Sequence, residues 1–326
     1  MSSDEYKQYL KTIADRNITS PNQVDSFVKE AVGKLPVSRT RIIAGEANEV
    51  YDIETIDGKV VVRIDRSGNS RFEAEQWAID QCDRKDIPVP RVLLIKKFQE
   101  GDKTYTACVQ QRLPGDVMER GKTNYWEMPD DQVRRLFLQA GELLARMHSI
   151  SIEGFDNIDS QGKGKYSAFP EMMGEHPRQR GGFLKMAQDL GVPESDFVRA
   201  LEIVESESQR FTMVRPVLNH GDFGGKHIMY QDNQVTGIID FGEVAGHSAI
   251  FDLARWEYWF GDNKYFDWIK EGYSDKSVFG DGYEEMSRLI RLNLTLGTAW
   301  WYYKDNYQPG IKRAMEKMSE LLEQYG

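Results

Sequence analysis

The chain has 326 residues, of which 40% are hydrophobic and 11% aromatic, so it can bury a sizeable core in one large domain or two ordinary ones. With 42 basic against 52 acidic residues the formal net charge is −10, which argues against a nucleic-acid partner and suits a cationic small molecule better. No apolar run approaches the ~20 residues of a membrane-spanning helix.

Two cysteines, Cys82 and Cys108, are present without a C-x-x-C motif, and the N-terminal sequence lacks the basic and apolar regions of a signal peptide. We therefore expect a cytoplasmic, reduced protein that acts as a monomer, with no membrane partner.

The N-terminal third alternates helical and strand patterns. Apolar residues at helical spacing predict a short helix over 6–13 and a second over 24–32, the latter after a Ser-Pro-Asn start sequence. A helix from Arg71 to Asp83 interrupts a series of strands, and Asp57-Gly58 predicts a hairpin. The strand patterns cover 40–44, 50–55, 60–64, 92–97 and 104–111. We predict a largely antiparallel sheet with one inserted helix, in a lobe spanning residues 1–112.

The remaining residues, 113–326, have the pattern of a mainly helical second lobe. Leu113-Pro114-Gly115 ends the last strand pattern. Helices are predicted near 133–147, 183, 194–211, 252–260, 265–273, 283–303 and 310–325. The Gly-rich stretch 154–182 shows no periodicity, and we predict an irregular loop there, functional or mobile. The predicted fold class is α+β, with two lobes.

Two aspartates stand at the ends of apolar runs in this second lobe. Asp222 lies in the sequence His-Gly-Asp-Phe-Gly-Gly-Lys-His at 220–227, and Asp240 follows a predicted strand and precedes Phe-Gly. Phosphoryl transfer needs a carboxylate that orients or deprotonates the acceptor hydroxyl, metal ligands, and a cation that neutralises the phosphates. We predict a phosphoryl-transfer centre with Asp222 as catalytic base and Asp240 as a ligand of Mg²⁺.

These motifs together resemble the aminoglycoside phosphotransferase family of small-molecule kinases, which are similar in fold to protein kinases. The family usually has asparagine five residues after the catalytic aspartate, where this chain has His227. Histidine also occurs there in aminoglycoside 2″-phosphotransferases and macrolide phosphotransferases, to which the motifs are most similar. The resemblance implies a protein-kinase-like fold, Mg²⁺ held by His227 and Asp240, and ATP or GTP as phosphate donor, although Mg²⁺ generally prefers oxygen ligands.

The same resemblance implies an ion pair in the first lobe. Arg63 occupies the third-strand position where the family usually has lysine, and arginine can grip phosphates in a bidentate manner. Glu75, with Glu73 as the alternative, lies where the family's helix carries the glutamate that holds this cation. We expect Arg63 to bind the phosphates and Glu75 to position it.

Other nucleotide-binding residues are also implied by the resemblance. Asn48 belongs to a segment, 45–50, that resembles the family's nucleotide-positioning loop, whose backbone N–H groups reach phosphate. Gln110 and Arg112 belong to the segment 110–113 that should receive the purine. These residues leave the choice between ATP and GTP open.

The acceptor stays open between several classes. Acidic residues after the metal motif would suit the ammonium groups of an aminoglycoside, and they are Glu243, Glu257 and Asp262. Trp256 and Trp259 would suit the wide apolar groove of a macrolide site. The acidic balance and the similarity to 2″-phosphotransferases favour an aminoglycoside. A metabolic kinase of a choline-like or sugar-like substrate, and a nucleotide-binding module without turnover, are the alternatives.

Three further residues of these motifs are interpreted as supporting ones. We expect His220 to orient the loop by hydrogen bonding, and Asp252 to brace the catalytic loop or to cap the next helix. Of two interpretations of Lys226, contact with the γ-phosphate and a solvated side chain, the usual exposure of lysine favours the second.

Overall fold

The computed structural model describes residues 18–43 and 48–325. Its first lobe is built on five strands: β1 (Ser38–Ile42), β2 (Asn48–Thr55), β3 (Gly58–Asp65), β4 (Val92–Glu100) and β5 (Lys103–Gln111). They form an antiparallel sheet in the order β1-β2-β3-β5-β4. The predicted hairpin is confirmed, because Thr55 pairs with Gly58 across the turn between β2 and β3.

Helix α1 (Pro21–Val32) covers one face of this sheet. The Ser20 hydroxyl accepts a hydrogen bond from the N–H of Gln23, and a proline occupies the first turn, so the start sequence works as predicted. Its buried side chains pack against β-strand residues, and they are Val24, Phe27 and Val28. The helix predicted over 24–32 is confirmed, whereas the one predicted over 6–13 lies outside the described residues.

Helix α2 (Phe72–Asp83) follows β3 in sequence but packs with the second lobe. Four of its buried residues share a hydrophobic core with second-lobe side chains, namely Ala74, Ala78, Ile79 and Cys82. The Trp77 indole lies against Gly162, where an added Cβ would come within 2.2 Å of the ring. The core of the sheet consists instead of strand residues and α1. A lobe boundary near residue 112 assigns α2 to the first lobe by sequence, whereas its packing joins it to the second.

The second lobe is mainly helical. Its helices are α3 (Asp130–His148), α4 (Phe169–Met173), α5 (Glu175–Arg178), α6 (Arg180–Leu190), α7 (Glu194–Ser208), α8 (Phe251–Phe260), α9 (Lys264–Gly272), α10 (Tyr283–Lys304) and α11 (Gln308–Glu323). The predicted two-lobed α+β fold is confirmed. Among the residues that the structure describes, no helix is both long and apolar enough to cross a membrane.

Short strands flank the loops that carry the predicted catalytic residues. They are β6 (Asp116–Val117), β7 (Phe155–Ile158), β8 (Gly164–Tyr166), β9 (Val217–Asn219), β10 (Ile228–Gln231), β11 (Gln234–Ile238) and β12 (Ala245–His247). Strands β10 and β11 form a hairpin beside β6, and β12 pairs with β7 and β9. The first aspartate loop (220–227) thus connects β9 to β10, and the second aspartate loop (239–243) connects β11 to β12.

The irregular loop predicted over 154–182 is wrong. This stretch contains β7, β8, α4, α5 and the start of α6. These elements are too short to show a period in the sequence, and several of the glycines, among them Gly154, Gly162 and Gly164, lie in close packing contacts. A Cβ on Gly164 would lie 2.5 Å from the backbone of Gly154 and Phe155.

Candidate active site

An ion pair connects the sheet to α2 at the cleft between the lobes. Val62 and Ile64 face the core of the sheet, so the alternating side chain of Arg63 points to the opposite face. Both Arg63 Nη atoms donate to the carboxylate of Glu75, with Nη2 to Oε1 at 3.3 Å. Nη2 also donates to Oδ1 of Asp240 at 3.2 Å. Arg63 thus pairs with Glu75, the partner that the sequence favoured over Glu73.

Arg63 remains charged in this position. Its side chain is buried, which alone would lower the pKa of the guanidinium, but Glu75 and Asp240 outweigh burial and raise the pKa. The guanidinium also lies over the ring of Phe72, at 5.1 Å from the centroid. A fixed cation therefore stands at the junction of the two lobes, beside the carboxylate that was predicted to bind metal.

Asp240 adopts a strained backbone conformation at the end of β11. Its φ of +66° and ψ of +69° are left-handed, which costs about 1–3 kcal/mol for a residue other than glycine. This turn aims the half-exposed carboxylate at Arg63 and at His227, whose Nε2 is 3.3 Å from Oδ2. Removal from bulk water would raise the pKa of Asp240, but the positive charge of the adjacent Arg63 holds it well below its usual range.

The orientation of the His227 ring decides what His227 and Asp240 can bind together. Its Nδ1 is 2.9 Å from the carbonyl oxygen of Asp222, and because a carbonyl only accepts, Nδ1 carries the proton. In the neutral ring, Nε2 then presents a lone pair to the Asp240 carboxylate. Two electron donors 3.3 Å apart fit a shared cation, since cis ligands each ~2.1 Å from an octahedral ion lie about 3 Å apart.

The described residues supply only part of such a metal site. Outside 1–17, 44–47 and 326, no group of three or more His, Cys, Asp or Glu residues is arranged to hold a metal ion. Mg²⁺ is commonly bound by one or two carboxylates together with phosphates and water. Asp240 supplies such a carboxylate and His227 a nitrogen donor beside it, and the remaining ligands would come from a nucleotide and solvent.

Two cations flank Asp222. Lys226 Nζ donates to Oδ2 at 2.7 Å, and Arg255 Nη2 lies 3.5 Å from Oδ1. Burial would raise the pKa of Asp222, but the positive charges of Lys226 and Arg255 act in the opposite direction, and the pKa is lowered. The carboxylate is therefore ionised at neutral pH and able to accept a hydrogen bond or a proton from a hydroxyl group.

Asp252, at the start of α8, holds the first aspartate loop from behind. Its two carboxylate oxygens accept the backbone N–H groups of His220 and Gly221, both at 2.8 Å, and Oδ2 is 3.2 Å from Nε2 of His148. Gly221 has a φ of +79°, and a Cβ there would lie 1.9 Å from the carbonyl oxygen of Glu243. The fully buried Asp252 thus fixes the loop, and the predicted bracing role is confirmed.

His220 joins the two aspartate loops. Its Nδ1 accepts the N–H of Asp222 at 3.2 Å, and its Nε2 donates to the carbonyl oxygen of Ile239 at 3.0 Å. A neutral imidazole provides one acceptor and one donor, and burial lowers the pKa of His220, so the neutral form is favoured. The predicted orienting role of His220 is confirmed by these contacts.

The other predicted nucleotide-binding residues lie in the first lobe. Asn48 begins β2, and its buried Oδ1 has no hydrogen-bond partner among the described residues, which leave out the preceding residues 44–47. Gln110 is buried near the end of β5. Arg112 Nε is 3.2 Å from Oδ2 of Asp52, so its guanidinium is engaged within the first lobe. Their roles toward a nucleotide stay predictions.

Two of the predicted acceptor residues are buried. The Glu257 side chain is 9% exposed and accepts a hydrogen bond from the Ser287 hydroxyl, which ties α8 to α10. Trp256 is 1% exposed and packs edge-on against Phe137 at 5.6 Å between ring centroids. In this conformation neither side chain is accessible to an acceptor, because packing of α8 against its neighbours turns both into the interior.

The remaining acceptor candidates are exposed. Glu243 lies in the second aspartate loop, and Trp259 is 43% exposed near the end of α8. Asp262 follows α8 and its carboxylate is 3.5 Å from Nζ of Lys270. Exposure leaves all three available to a ligand, and their contact with an acceptor stays a prediction.

Sequence reasoning missed two cations that complete the site, Arg71 and Arg255, and favoured a solvated side chain for a third, Lys226. Arg71, just before α2, donates from Nη1 to the carbonyl of Gly242 at 2.9 Å and from Nη2 to that of Val244 at 2.7 Å. Arg255 lies three residues after the bracing aspartate, a spacing that places both on one side of a helix and could have revealed it. Lys226 lies four residues after Asp222 and was expected to be solvated, but it is paired. No local pattern marks Arg71.

Known proteins resemble this chain in sequence. Residues 38–287 match the model of the phosphotransferase enzyme family. A curated relative, hygromycin-B 4-O-kinase of Escherichia coli, is 19% identical over 218 residues. That match spans 66% of this chain and 60% of the relative's length.

Solved structures resemble it in fold. A thermostable mutant of aminoglycoside phosphotransferase APH(4)-Ia superposes with a TM-score of 0.74 at 16% identity, covering 93% of this chain and 99% of the other. A putative fructosamine-3-kinase from Haemophilus somnus 129PT gives 0.66 at 17% identity, covering 92% and 96%. The gentamicin complex of APH(2″)-IIa gives 0.59 at 12% identity, covering 93% and 97%.

Variants of APH(4)-Ia have been solved with alanine in place of an aspartate and of asparagines four and five positions after it. These variants form ternary complexes with hygromycin B and ADP or AMP-PNP. In this chain the residues four and five positions after Asp222 are Lys226 and His227.

Proposed function

The chain belongs to the phosphotransferase enzyme family, and we propose that it is a kinase that inactivates an aminoglycoside antibiotic by transferring the γ-phosphate of ATP or GTP to one of its hydroxyl groups. One observation carries the proposal: Arg63 contacts both Glu75 and Asp240 across the cleft, next to the loop that holds Asp222. A phosphate-gripping cation, a metal ligand and a base are thus assembled from two lobes, as phosphoryl transfer requires.

The residues divide the chemistry in the following way. The acceptor oxygen forms a bond to the γ-phosphorus while the bond to the β–γ bridging oxygen breaks, and the electron pair of that bond leaves with the nucleoside diphosphate. Asp222 orients the acceptor hydroxyl and receives its proton. Arg63, held by Glu75, binds the phosphate oxygens. Mg²⁺ held by Asp240 and His227 would neutralise charge on the phosphates.

Three observations support an aminoglycoside as acceptor. The net charge of −10 favours a polycationic substrate, and exposed carboxylates are present at Glu243 in the second aspartate loop and at Asp262 after α8. A relative matched in sequence is a hygromycin-B kinase, and structures similar in fold include complexes with hygromycin B and gentamicin. Aminoglycosides combine several ammonium groups with hydroxyl groups, so this site would offer both charge complementarity and a base.

A second candidate acceptor is an amino-linked sugar of primary metabolism. The fold similarity to a putative fructosamine-3-kinase favours it, because such a substrate also presents a hydroxyl near an amine. A macrolide is a third candidate, for which the exposed ring of Trp259 would provide apolar contact.

The test is release of ADP or GDP with Mg²⁺ across a panel of aminoglycosides, macrolides, fructosamines and choline, with mass spectrometry of the acceptor. We expect hygromycin-type or gentamicin-type aminoglycosides to gain one phosphoryl group. Asp222→Asn protein, purified in the same way, is the control for contaminating kinases. Turnover of a macrolide or a fructosamine with no aminoglycoside turnover would overturn the preferred acceptor. Competition between ATP and GTP in the same assay would identify the donor.

A further inference from the structure

We propose that Lys226 is a phosphate-binding catalytic residue, whose ammonium group moves from Asp222 to the γ-phosphate when a nucleotide binds. This inference rests on the proposed kinase function and adds a residue to it. Natural APH(4)-Ia has an asparagine four positions after the aspartate that one of its variants replaces, whereas this chain has a lysine four positions after Asp222.

The position of Lys226 supports the proposal. Its Nζ is 2.7 Å from Oδ2 of Asp222, and its side chain is 30% exposed, so it lies beside the proposed base and stays accessible to solvent. The hydroxyl that Asp222 deprotonates must lie within ~3 Å of this carboxylate and within ~3.5 Å of the γ-phosphorus. Because the Lys226 ammonium group is hydrogen-bonded to the same carboxylate, a rotation of its side chain can bring it to the transferred phosphoryl group.

Backbone geometry permits that rotation. Residues 225–227 form a single 3₁₀ turn, closed by the hydrogen bond from His227 N–H to the carbonyl of Gly224 at 2.9 Å. The turn fixes the Cα of Lys226, while its four-carbon side chain stays free to change rotamer. A change of partner thus requires no movement of the loop that positions Asp222 and His227.

Arg255 explains how Asp222 stays ionised after Lys226 leaves. Its Nη2 is 3.5 Å from Oδ1, the oxygen that Lys226 does not contact, and Arg255 belongs to α8 rather than to the loop. With two cations on one carboxylate, one can be transferred to the phosphate while the other remains. The released Oδ2 is then available to the acceptor hydroxyl, so nucleotide binding would uncover the base.

The proposed step is charge neutralisation within phosphoryl transfer. As the acceptor oxygen bonds to the γ-phosphorus and the β–γ bridging bond breaks, negative charge is spread over the three equatorial oxygens. Lys226 would donate hydrogen bonds to one of them, and the acceptor proton goes to Asp222. Charge-assisted hydrogen bonds of this kind are worth enough to change affinity or rate by roughly 10- to 100-fold.

The first test measures nucleotide binding alone. Calorimetry with Mg²⁺ should show that Lys226→Met loses roughly 10- to 100-fold in affinity for a non-hydrolysable triphosphate but no more than about threefold for the diphosphate. Lys226→Arg should retain most of the triphosphate preference. Equal loss for both nucleotides, or no loss for either, would overturn the proposal, since a residue that only holds Asp222 has no reason to distinguish them.

A matched lysine provides the control. Lys185 in α6 makes the same kind of i,i+4 ion pair, with Nζ 3.0 Å from Oδ2 of Asp189, on the surface of the second lobe. Lys185→Met should leave both nucleotide affinities unchanged. A loss of triphosphate affinity in this variant equal to that of Lys226→Met would also contradict the proposal.

The second test measures turnover. With an acceptor found in the panel, Lys226→Met should lower kcat by roughly 100-fold and leave the KM of the acceptor unchanged, with Lys226→Arg restoring much of kcat. If no acceptor is phosphorylated by the natural protein, the proposed function fails, but the nucleotide comparison still decides the role of Lys226. An unchanged kcat in Lys226→Met would overturn its catalytic role.

Discussion

The two aspartate loops are built alike in sequence, each placing a carboxylate after an apolar strand, but they are held by different parts of the molecule. The first is fixed from within the second lobe, where Asp252 accepts two of its N–H groups and Lys226 and Arg255 hold Asp222. The second is held from the first lobe and α2, by Arg63 and Arg71.

This difference separates the base from the metal ligand. The geometry of Asp222 depends on contacts inside a packed core and is expected to persist whether or not the lobes close. The geometry of Asp240 depends on contacts across the cleft, so it is expected to respond to the position of the sheet. Substitution of Asp222 should therefore affect chemistry, and substitution of Asp240 should affect nucleotide and metal binding.

The largest effect is expected for Asp222→Asn. An amide cannot take the acceptor proton, so kcat should fall by roughly 10²–10⁴-fold while nucleotide affinity changes by less than about threefold. Steady-state kinetics and calorimetry would measure the two quantities. Turnover close to that of the natural protein would remove Asp222 from the role of base and with it the contrast between the loops.

Asp240→Asn should have the next largest effect, on a different quantity. Loss of the charge removes the carboxylate shared by Arg63 and His227, so the enhancement of nucleotide binding by Mg²⁺ should largely disappear, with about a tenfold or greater loss of affinity. Titration of nucleotide with and without Mg²⁺ measures this. Asp267→Asn, at an exposed ion pair with Lys270, is a suitable control. Persisting Mg²⁺ dependence would contradict the assignment.

Arg71→Gln sharpens the comparison, because the Arg71 guanidinium donates to the second loop at Gly242 and to Val244 directly after it. The variant loses the two hydrogen bonds to the carbonyls of Gly242 and Val244, which should raise the KM for nucleotide by roughly 3- to 10-fold. The kcat at saturating nucleotide should change little. A fall in kcat with unchanged KM would mean that the second loop is part of the chemistry rather than of binding.

The smallest effect concerns acid stability near the second loop. Burial lowers the pKa of His247, in β12, to about 3, against 6.5 for an exposed histidine. Between these pH values the unfolded chain binds a proton at this residue and the folded protein does not. Above pH 6.5 the imidazole is neutral in both states and adds nothing to the pH dependence of the free energy of unfolding. As the pH falls from 6.5 towards 3, protonation of the unfolded chain lowers the free energy of unfolding by about 1.4 kcal/mol per pH unit.

His247→Gln should remove this residue's share of the pH dependence. Urea unfolding at neutral pH and at about pH 5 should show a free energy of unfolding that falls by about 2 kcal/mol less in the variant. Gln keeps a side-chain acceptor for the N–H of Ser248, which His247 Nδ1 accepts at 2.8 Å. An identical pH dependence in both proteins would show that His247 is not held neutral.

Much of the fold was predictable because its signals are local. The hairpin at Asp57-Gly58 and the capped α1 each need only a few neighbouring residues to define them. The pairing of Arg63 with Glu75 was predictable because the resemblance assigned both positions. The aspartates were predictable because each stands at the end of an apolar run.

The failures involve contacts between distant segments. Glu257 and Trp256 follow the metal motif in sequence, but the packing of α8 against α10 and α3 turns them inward. The contact of Arg71 with Gly242 joins residues 171 positions apart, and no sequence pattern near either one reports it. Lys226 was misjudged because the general exposure of lysine says nothing about a partner four residues away.

The packing of α2 has a topological consequence. Since α2 belongs physically to the second lobe, the chain crosses between the two bodies three times, over 66–71, 84–91 and 112–115, instead of once. The second crossing is itself anchored, because Ile238 N–H donates to the carbonyl of Pro88 at 2.9 Å. A sheet connected to the second lobe by three short segments can move less relative to that lobe than a sheet connected by one hinge. Most of the entropy loss that accompanies closure of the cleft would therefore occur during folding, before a nucleotide binds.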